Sequence, residues 1–309
     1  MSNKKYLCIC VILAATLIIL TLPLVHFPKH TKEEATTAGA EVSAGTPTGT
    51  PAGVPAGAEE KIYLPIIMYH DIKKNNSGKD IINPGEFESD LKFLKENNYT
   101  SITMQDVIDY VYEDKPLPEN PIMITFDDGY LTTYRYAYPL LQEYDTKIVL
   151  SIIGKSTDDF TRVGDDHLQY AHLTWPLLDE MLESGLIEIQ NHTYNLHSTR
   201  AGRVGCKQKR GEALPDYEAV LTEDVMKLQQ EIIDMTGITP TTFTIPYGEY
   251  NDNTIEIIKK LGFQAALTCD YGVNKITKDK ETLYHLKRIC RSHNYPMSEL
   301  LEDVKKTIR

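Results

Sequence analysis

The sequence predicts an α/β fold, a distorted (β/α) barrel of about seven parallel strands, preceded by a transmembrane helix and a disordered linker. Three observations predict it. From residue 62 onward, short apolar runs alternate with amphipathic stretches, the pattern of strands and helices in turn. Six such strand–helix units can be paired off, and a series of this kind closes into a parallel barrel. Before residue 61 the composition differs: an apolar run gives way to a stretch too poor in large apolar side chains to pack.

Residues 1–28 are read as a cytoplasmic tip and membrane anchor. After Lys4 and Lys5, residues 6–27 are almost wholly apolar, and about 20 such residues match the hydrocarbon thickness of a bilayer. The lysines favour the N-terminus inside and the remainder outside. A cleaved signal peptide is the rival, but its apolar core is usually about 7–15 residues and ends in a small-x-small site, which is missing directly after Phe27. Residues 29–60, including T-P-T-G-T-P-A-G-V-P-A-G, form a flexible Thr/Ala/Gly/Pro tether. Residues 61–309 form one folded domain, with strands expected at 62–69, 122–126, 148–152, 187–191, 242–246 and 265–268. Helices are expected at 84–97, 104–112, 136–143, 175–184, 221–236, 253–261 and 296–306. Asn83-Pro84 reads as a cap with proline in the first turn, and Gly237 and Gly262 read as C-caps.

A domain of this size buries roughly 70–75% of its unfolded surface and needs no metal to hold its core, so a metal bound here serves chemistry. The net charge of -12, from 32 basic and 44 acidic residues, argues against a nucleic-acid partner. Five cysteines make no disulfide framework: Cys8 and Cys10 lie in the apolar run, and Cys206, Cys269 and Cys290 are an odd set without C-x-x-C spacing, so all five are read as structural.

In parallel barrels reactive residues stand at the C-terminal ends of strands. At one such end, residues 121–126 run into Asp127, Asp128 and Gly129. Adjacent carboxylates repel, which is tolerable when one binds a cation and the other faces a reacting centre. Alone, D-D-G is also an ordinary turn. At another end, residues 187–191 run into His192-Thr193-Tyr194-Asn195-Leu196-His197. Two imidazoles and one carboxylate make an N/O donor set suited to zinc or another divalent first-row metal, with positions left open. At a third, Pro246-Tyr247-Gly248 offers an aromatic ring for a sugar and a backbone amide at Tyr247 for an oxyanion. At the first, Met68-Tyr69-His70-Asp71 places His70 as a candidate general acid; its alternative is a hydrogen-bonded rim residue.

Taken together, T-F-D-D-G, H-T-Y-N-L-H and P-Y-G in this order resemble the polysaccharide deacetylases of the NodB-homology group, the fourth family of carbohydrate esterases, over residues 62–292. L-P-I-I-M-Y-H ahead of the first motif and L-T-W ahead of the second strengthen the resemblance. It implies that Asp127 is the base and that Asp128, His192 and His197 hold a divalent ion, zinc first, with cobalt, nickel or iron as alternatives. The histidines are five apart, as in relatives that deacetylate poly-N-acetylglucosamine, and the early Y-H of those relatives makes His70 the acid, ahead of His293. Where the family usually carries an arginine two residues before the proline, Thr244 stands here; Arg288 is the candidate to supply that cation from another strand.

The resemblance implies a metal-dependent N-deacetylase of an extracellular amino-sugar polymer, peptidoglycan or poly-N-acetylglucosamine. Pro246, Tyr247 and Arg288 are expected to line the substrate site. The alternatives are an O-acetyl esterase acting on a plant polysaccharide such as xylan, and a non-catalytic carbohydrate-binding module. The expected setting is the cell membrane, with a single span, an external catalytic domain and a monomeric state.

Overall fold

A computed structural model describes residues 62–75 and 78–308. The expected anchor and linker, residues 1–60, lie outside the described residues. No described helix is long and apolar enough to cross a membrane.

Seven parallel strands close into a barrel: β1 (Ile66–Tyr69), β2 (Pro121–Phe126), β3 (Ile148–Ile152), β4 (Ile187–Asn191), β5 (Thr242–Thr244), β6 (Ala265–Tyr271) and β7 (Leu286–Cys290). Consecutive strands from β2 to β6 pair in order, β6 pairs with β7, β7 with β1, and β1 returns to β2. The closing register puts Ile66 beside Met123 and Tyr69 beside Phe126. A short parallel strand, Thr100–Ile102, pairs with the start of β2.

Side chains alternate along each strand, so two sets of residues separate. On β2, Ile122, Ile124 and Phe126 join the apolar layer under the helices, whereas Met123 joins a second cluster with Ile66, Val149, Ala265, Leu267 and Leu286. The second cluster is the barrel interior. Helix Met104–Glu113 packs Met104, Val107, Ile108 and Val111 into that cluster. Continuing the inward phase from Ile66, Met123 and Leu286 leads to His70, Asp127 and Arg288, so the strand period itself aims these residues at one mouth.

The expected strand at 62–69 is split. Pro65 lacks an N–H and ends the barrel pairing at Ile66, while Ile62–Leu64 pairs antiparallel with Asn274–Ile276. β7 is the strand on which Arg288 is expected and the seventh that the barrel requires; Lys287 and Arg288 interrupt its apolar run, so periodicity does not set its bounds. Helix Gly154–Val163 is absent from the expected elements because only Phe160 and Val163 among its residues are large and apolar. Helix Leu214–Thr236 starts a turn and more before residue 221, with Pro215 in its first turn. The expected caps are present: Asn83 makes a reciprocal capping box with Glu86, and Gly237 and Gly262 take positive φ after their helices.

Candidate active site

Asp127 is fixed by Arg288. Nη1 of Arg288 donates to Asp127 Oδ1 at 2.7 Å and Nη2 donates to Oδ2 at 2.8 Å, while Nε donates to the Thr268 carbonyl at 2.7 Å. Nη1 also donates to the Thr125 hydroxyl at 3.2 Å. Arg288 and Asp127 are 1% and 2% exposed, so water screens little of this fork-to-fork contact. Burial pushes the Asp127 pKa up, but the guanidinium outweighs it and the carboxyl sits below its usual range.

Asp128 is in a different environment. Its backbone has φ 69°, and its Oδ1 is buried with no hydrogen-bond partner. His197 Nε2 lies 3.3 Å from that oxygen and His192 Nε2 3.5 Å from it. His192 Nδ1 donates to the Thr244 carbonyl at 2.8 Å, which fixes the ring and leaves Nε2 directed at Asp128. Burial, reinforced by the neighbouring His192, pushes His197 down to about 4. His192 is drawn the other way: burial opposes it, but the Asp128 carboxylate raises its pKa.

A carboxylate oxygen without a proton donor beside two imidazole nitrogens is costly when left to itself. The three ligand atoms lie within 4.8 Å of one another, and their N/O chemistry fits a divalent first-row cation. The residues present therefore fit a metal site.

Around this centre stand the remaining expected residues. His70 lies within electrostatic reach of both aspartates, and its Nδ1 is buried without a partner. His293, the alternative acid, is committed elsewhere, its Nδ1 2.9 Å from Glu86 Oε2. Pro246 is buried at the turn after β5, and Tyr247, at φ 58°, holds its ring 4.3 Å from that of His197. Gly248 is required there: a Cβ on it would meet Cys269 Cβ at 2.6 Å. Thr244 does not carry the cation expected two residues before the proline. Its hydroxyl instead shares a hydrogen bond with Ser151 at 2.7 Å, and Arg288 of β7 occupies the charged role.

Two further neighbours, His172 and Tyr130, border this centre. His172 sits 3.0 Å through Nδ1 from the Asp128 carbonyl and packs at 4.7 Å against Tyr130. Leu131 N–H bonds the Ala171 carbonyl and Leu173 N–H bonds the Gly129 carbonyl, so this segment braces the D-D-G turn. A single histidine in an irregular stretch has no periodicity that would have marked it. Cys206, Cys269 and Cys290 are free thiols.

A parallel barrel gathers a buried Asp–Arg pair, a further histidine and a two-histidine, one-carboxylate set whose chemistry fits a cation at its C-terminal mouth, the arrangement of a hydrolase. The chain belongs to the polysaccharide deacetylase family, whose model matches residues 114–266. It is 32% identical to YxkH of Bacillus subtilis, assigned to the polysaccharide deacetylases, over 75% of this chain and 72% of that protein. It is 26% identical to the poly-beta-1,6-N-acetyl-D-glucosamine N-deacetylase of Escherichia coli K12 over 69% of this chain, and spans only 34% of that longer protein. Among solved structures, a de-N-acetylase from Aggregatibacter actinomycetemcomitans superposes with a TM-score of 0.66 at 25% identity, covering 78% of this chain and 99% of that one.

Proposed function

We propose that this chain is a metal-dependent deacetylase that hydrolyses N-acetyl groups of an extracellular amino-sugar polymer, peptidoglycan or poly-N-acetylglucosamine, releasing acetate and leaving a free amine. The observation that carries the reading is the unequal treatment of two adjacent carboxylates. Asp127 is locked on Arg288, while Asp128 turns an unpartnered oxygen to His192 and His197. The relative named for poly-beta-1,6-N-acetyl-D-glucosamine supports the amino-sugar substrate.

Asp128, His192 and His197 are the ligands in this reading, for zinc first and for cobalt, nickel or iron by the same donor set. A divalent ion bound there supplies Lewis acidity, polarising the acetamide carbonyl and bringing the pKa of water from 15.7 toward about 7. Asp127 accepts a proton from the attacking water. Arg288 takes one lone pair on each Asp127 oxygen and leaves others free, so it keeps the base ionised and oriented without blocking it. His70 donates a proton to the departing nitrogen, matching the one that Asp127 removes from water, so that the amide C–N bond breaks to acetate and a free amine. The Tyr247 amide donates to the developing oxyanion, and its exposed ring, beside Pro246, offers a sugar a stacking face. In the same reading residues 1–28 anchor a monomeric domain to the outer face of the cell membrane, and residues 29–60 tether it there.

The test is acetate release from N-acetylglucosamine oligomers, with and without a chelator, by wild type and Asp127→Asn. Wild-type release that stops with chelator and returns with zinc, together with an inactive variant that still binds zinc, is the expected result. Undiminished turnover by Asp127→Asn, or turnover indifferent to chelator, would remove the proposed chemistry.

A further inference from the structure

The two histidines of the donor set are held by different means. His192 is fixed through its ring, since Nδ1 donates to the Thr244 carbonyl at 2.8 Å. His197 lacks that anchor: among the described residues its Nδ1 bonds to no other residue, and the ring's further hydrogen-bond contact is with its own backbone. A metal-binding imidazole ordinarily takes its orientation from a partner on its second nitrogen. The placing of His197 Nε2, 3.3 Å from Asp128 Oδ1, therefore rests on the backbone that carries the ring and on Tyr247 packed against it at 4.3 Å.

That backbone is the loop between the two histidines, and it begins under strain, with Thr193 at φ 71°. Its first carbonyls are taken by the start of helix Gly154–Val163, whose leading amides have no intrahelical partner. Gly154 N–H donates to the Thr193 carbonyl at 3.2 Å and Lys155 N–H to the Tyr194 carbonyl at 2.8 Å. The amides that follow converge on one half-buried carboxylate. Tyr194 N–H donates to Asp224 Oδ1 at 2.8 Å and Asn195 N–H to Oδ2 at 2.9 Å, with the Leu196 N–H directed at the same group. Successive amides of this kind make a concavity that takes an anion. Asp224 reaches in from helix Leu214–Thr236, 30 residues beyond Tyr194, and the three amides offset its burial ahead of Lys227.

We propose that Asp224 is a positioning residue for the cation site: by fastening residues 194–196 it sets the ring of His197 against Asp128 before an ion arrives. This rests on reading Asp128, His192 and His197 as ligands, and not on which polymer is the substrate. Among the described residues Asp224 bonds to no ligand side chain, so it acts through the loop alone. Asparagine in its place offers a single oxygen and turns an N–H toward the other amide, so an anion with two oxygens is what the loop requires.

Zinc affinity of the full chain, measured by competition with a chromophoric chelator, tests this without turnover. Asp224→Asn is expected to weaken zinc by roughly 10–100-fold, the range for losing an outer contact of a ligand, and Asp224→Glu should recover part of the loss. With cobalt(II) in place of zinc, the visible spectrum of Asp224→Asn should move toward that of His197→Ala. A purely structural role would lower stability in urea while leaving the affinity of the folded protein and its cobalt spectrum at their wild-type values, and that result overturns the proposal. Wild type in chelator gives a measure that does not depend on a variant folding: the amides of residues 194–196 should be protected from hydrogen exchange, and exchange at the rate of an open loop overturns the proposal as well. Wild type that binds no zinc sinks the ligand reading itself, whereas equal zinc affinity in wild type and Asp224→Asn sinks only the role of Asp224.

Discussion

Replacing Arg288 by methionine removes the partner of a carboxylate that is 2% exposed and cannot be solvated in place. The loss includes both short contacts to Asp127, at 2.7 and 2.8 Å, and the donor to the Thr268 carbonyl. Breaking a buried, hydrogen-bonded pair from one side costs about 3–5 kcal/mol, because the remaining charge is uncompensated. For a domain of this size that lowers Tm by about 6–20 °C at 2–4 °C per kcal/mol. The pH dependence gives the sharper test. In wild type the folded pKa of Asp127 is lowered, so its contribution to stability is present above the unfolded value near 3.9 and is lost as pH falls through the folded value. Without Arg288 burial is opposed only by the neighbouring His192 and His70, and the folded pKa rises. The deficit of Arg288→Met relative to wild type is therefore larger at pH 8 than at pH 5. Urea unfolding in chelator at both pH values, repeated in an Asp127→Asn background, checks this. In that background the arginine has no anion to serve, and Arg288→Met should cost far less. Equal deficits in the two backgrounds, or a loss below about 1 kcal/mol, would refute the claim that the pair holds the base.

Two further predictions concern the turn and the barrel floor. Gly248→Ala combines a φ of 66° with a Cβ 2.6 Å from that of Cys269, and is expected to cost about 2–4 kcal/mol from backbone strain and overpacking. Gly164→Ala, at φ 70° with nothing within 4 Å, isolates the strain and should cost only about 1 kcal/mol; thermal melts giving equal losses would discount the Cys269 contact. Glu188 accepts from the amides of Met104 and Gln105 at 3.1 and 2.9 Å, yet burial outweighs these bonds and raises its pKa. Its folded form holds the proton more tightly, so its favourable contribution is present below the unfolded value near 4.3 and is lost as pH rises through the raised one. The stability of Glu188→Gln relative to wild type should therefore climb with pH from about 4 upward; a flat difference in denaturant melts would contradict this.

Much of the site was legible because chemistry clusters at strand ends. D-D-G, the two histidines and Y-H each follow a segment of strand length, apolar or alternating, and all three reach the same mouth. What local pattern does not encode is which distant residue a disruptive side chain meets. Arg288 makes β7 read as a mixed-polarity segment, yet it is among the largest fully buried side chains, because the carboxylate that justifies its burial lies 161 residues away in sequence. His172 braces the Asp128 carbonyl from an irregular stretch where no period applies. The split of residues 62–69 was foreshadowed by Pro65, but the destination of residues 62–64, a partner strand at Asn274–Ile276, is a long-range contact that no local signal encodes.

The adjacent carboxylates show most clearly where strand logic ends. Alternation carries Met123, Thr125 and Asp127 inward together, and by the same rule would send Asp128 to the helix layer. It does not go there, because Asp128 leaves the strand at φ 69° and turns back toward the mouth. Thr193, between the two histidines, does the same at φ 71°, and Tyr247 at φ 58°. Each such residue costs about 1–2 kcal/mol relative to an ordinary backbone. Glycine would relieve that strain at all three positions, but at 128 it would also remove the carboxylate that faces His192 and His197. Immediately after each turn the chain is held in place: Gly129 N–H bonds back to the Asp127 carbonyl, Tyr194 N–H to Asp224 and Gly248 N–H to the Ile245 carbonyl. The strain is thus confined to the residues that convert a row of alternating side chains into convergent ones, and this conversion lets two neighbours in sequence do different work.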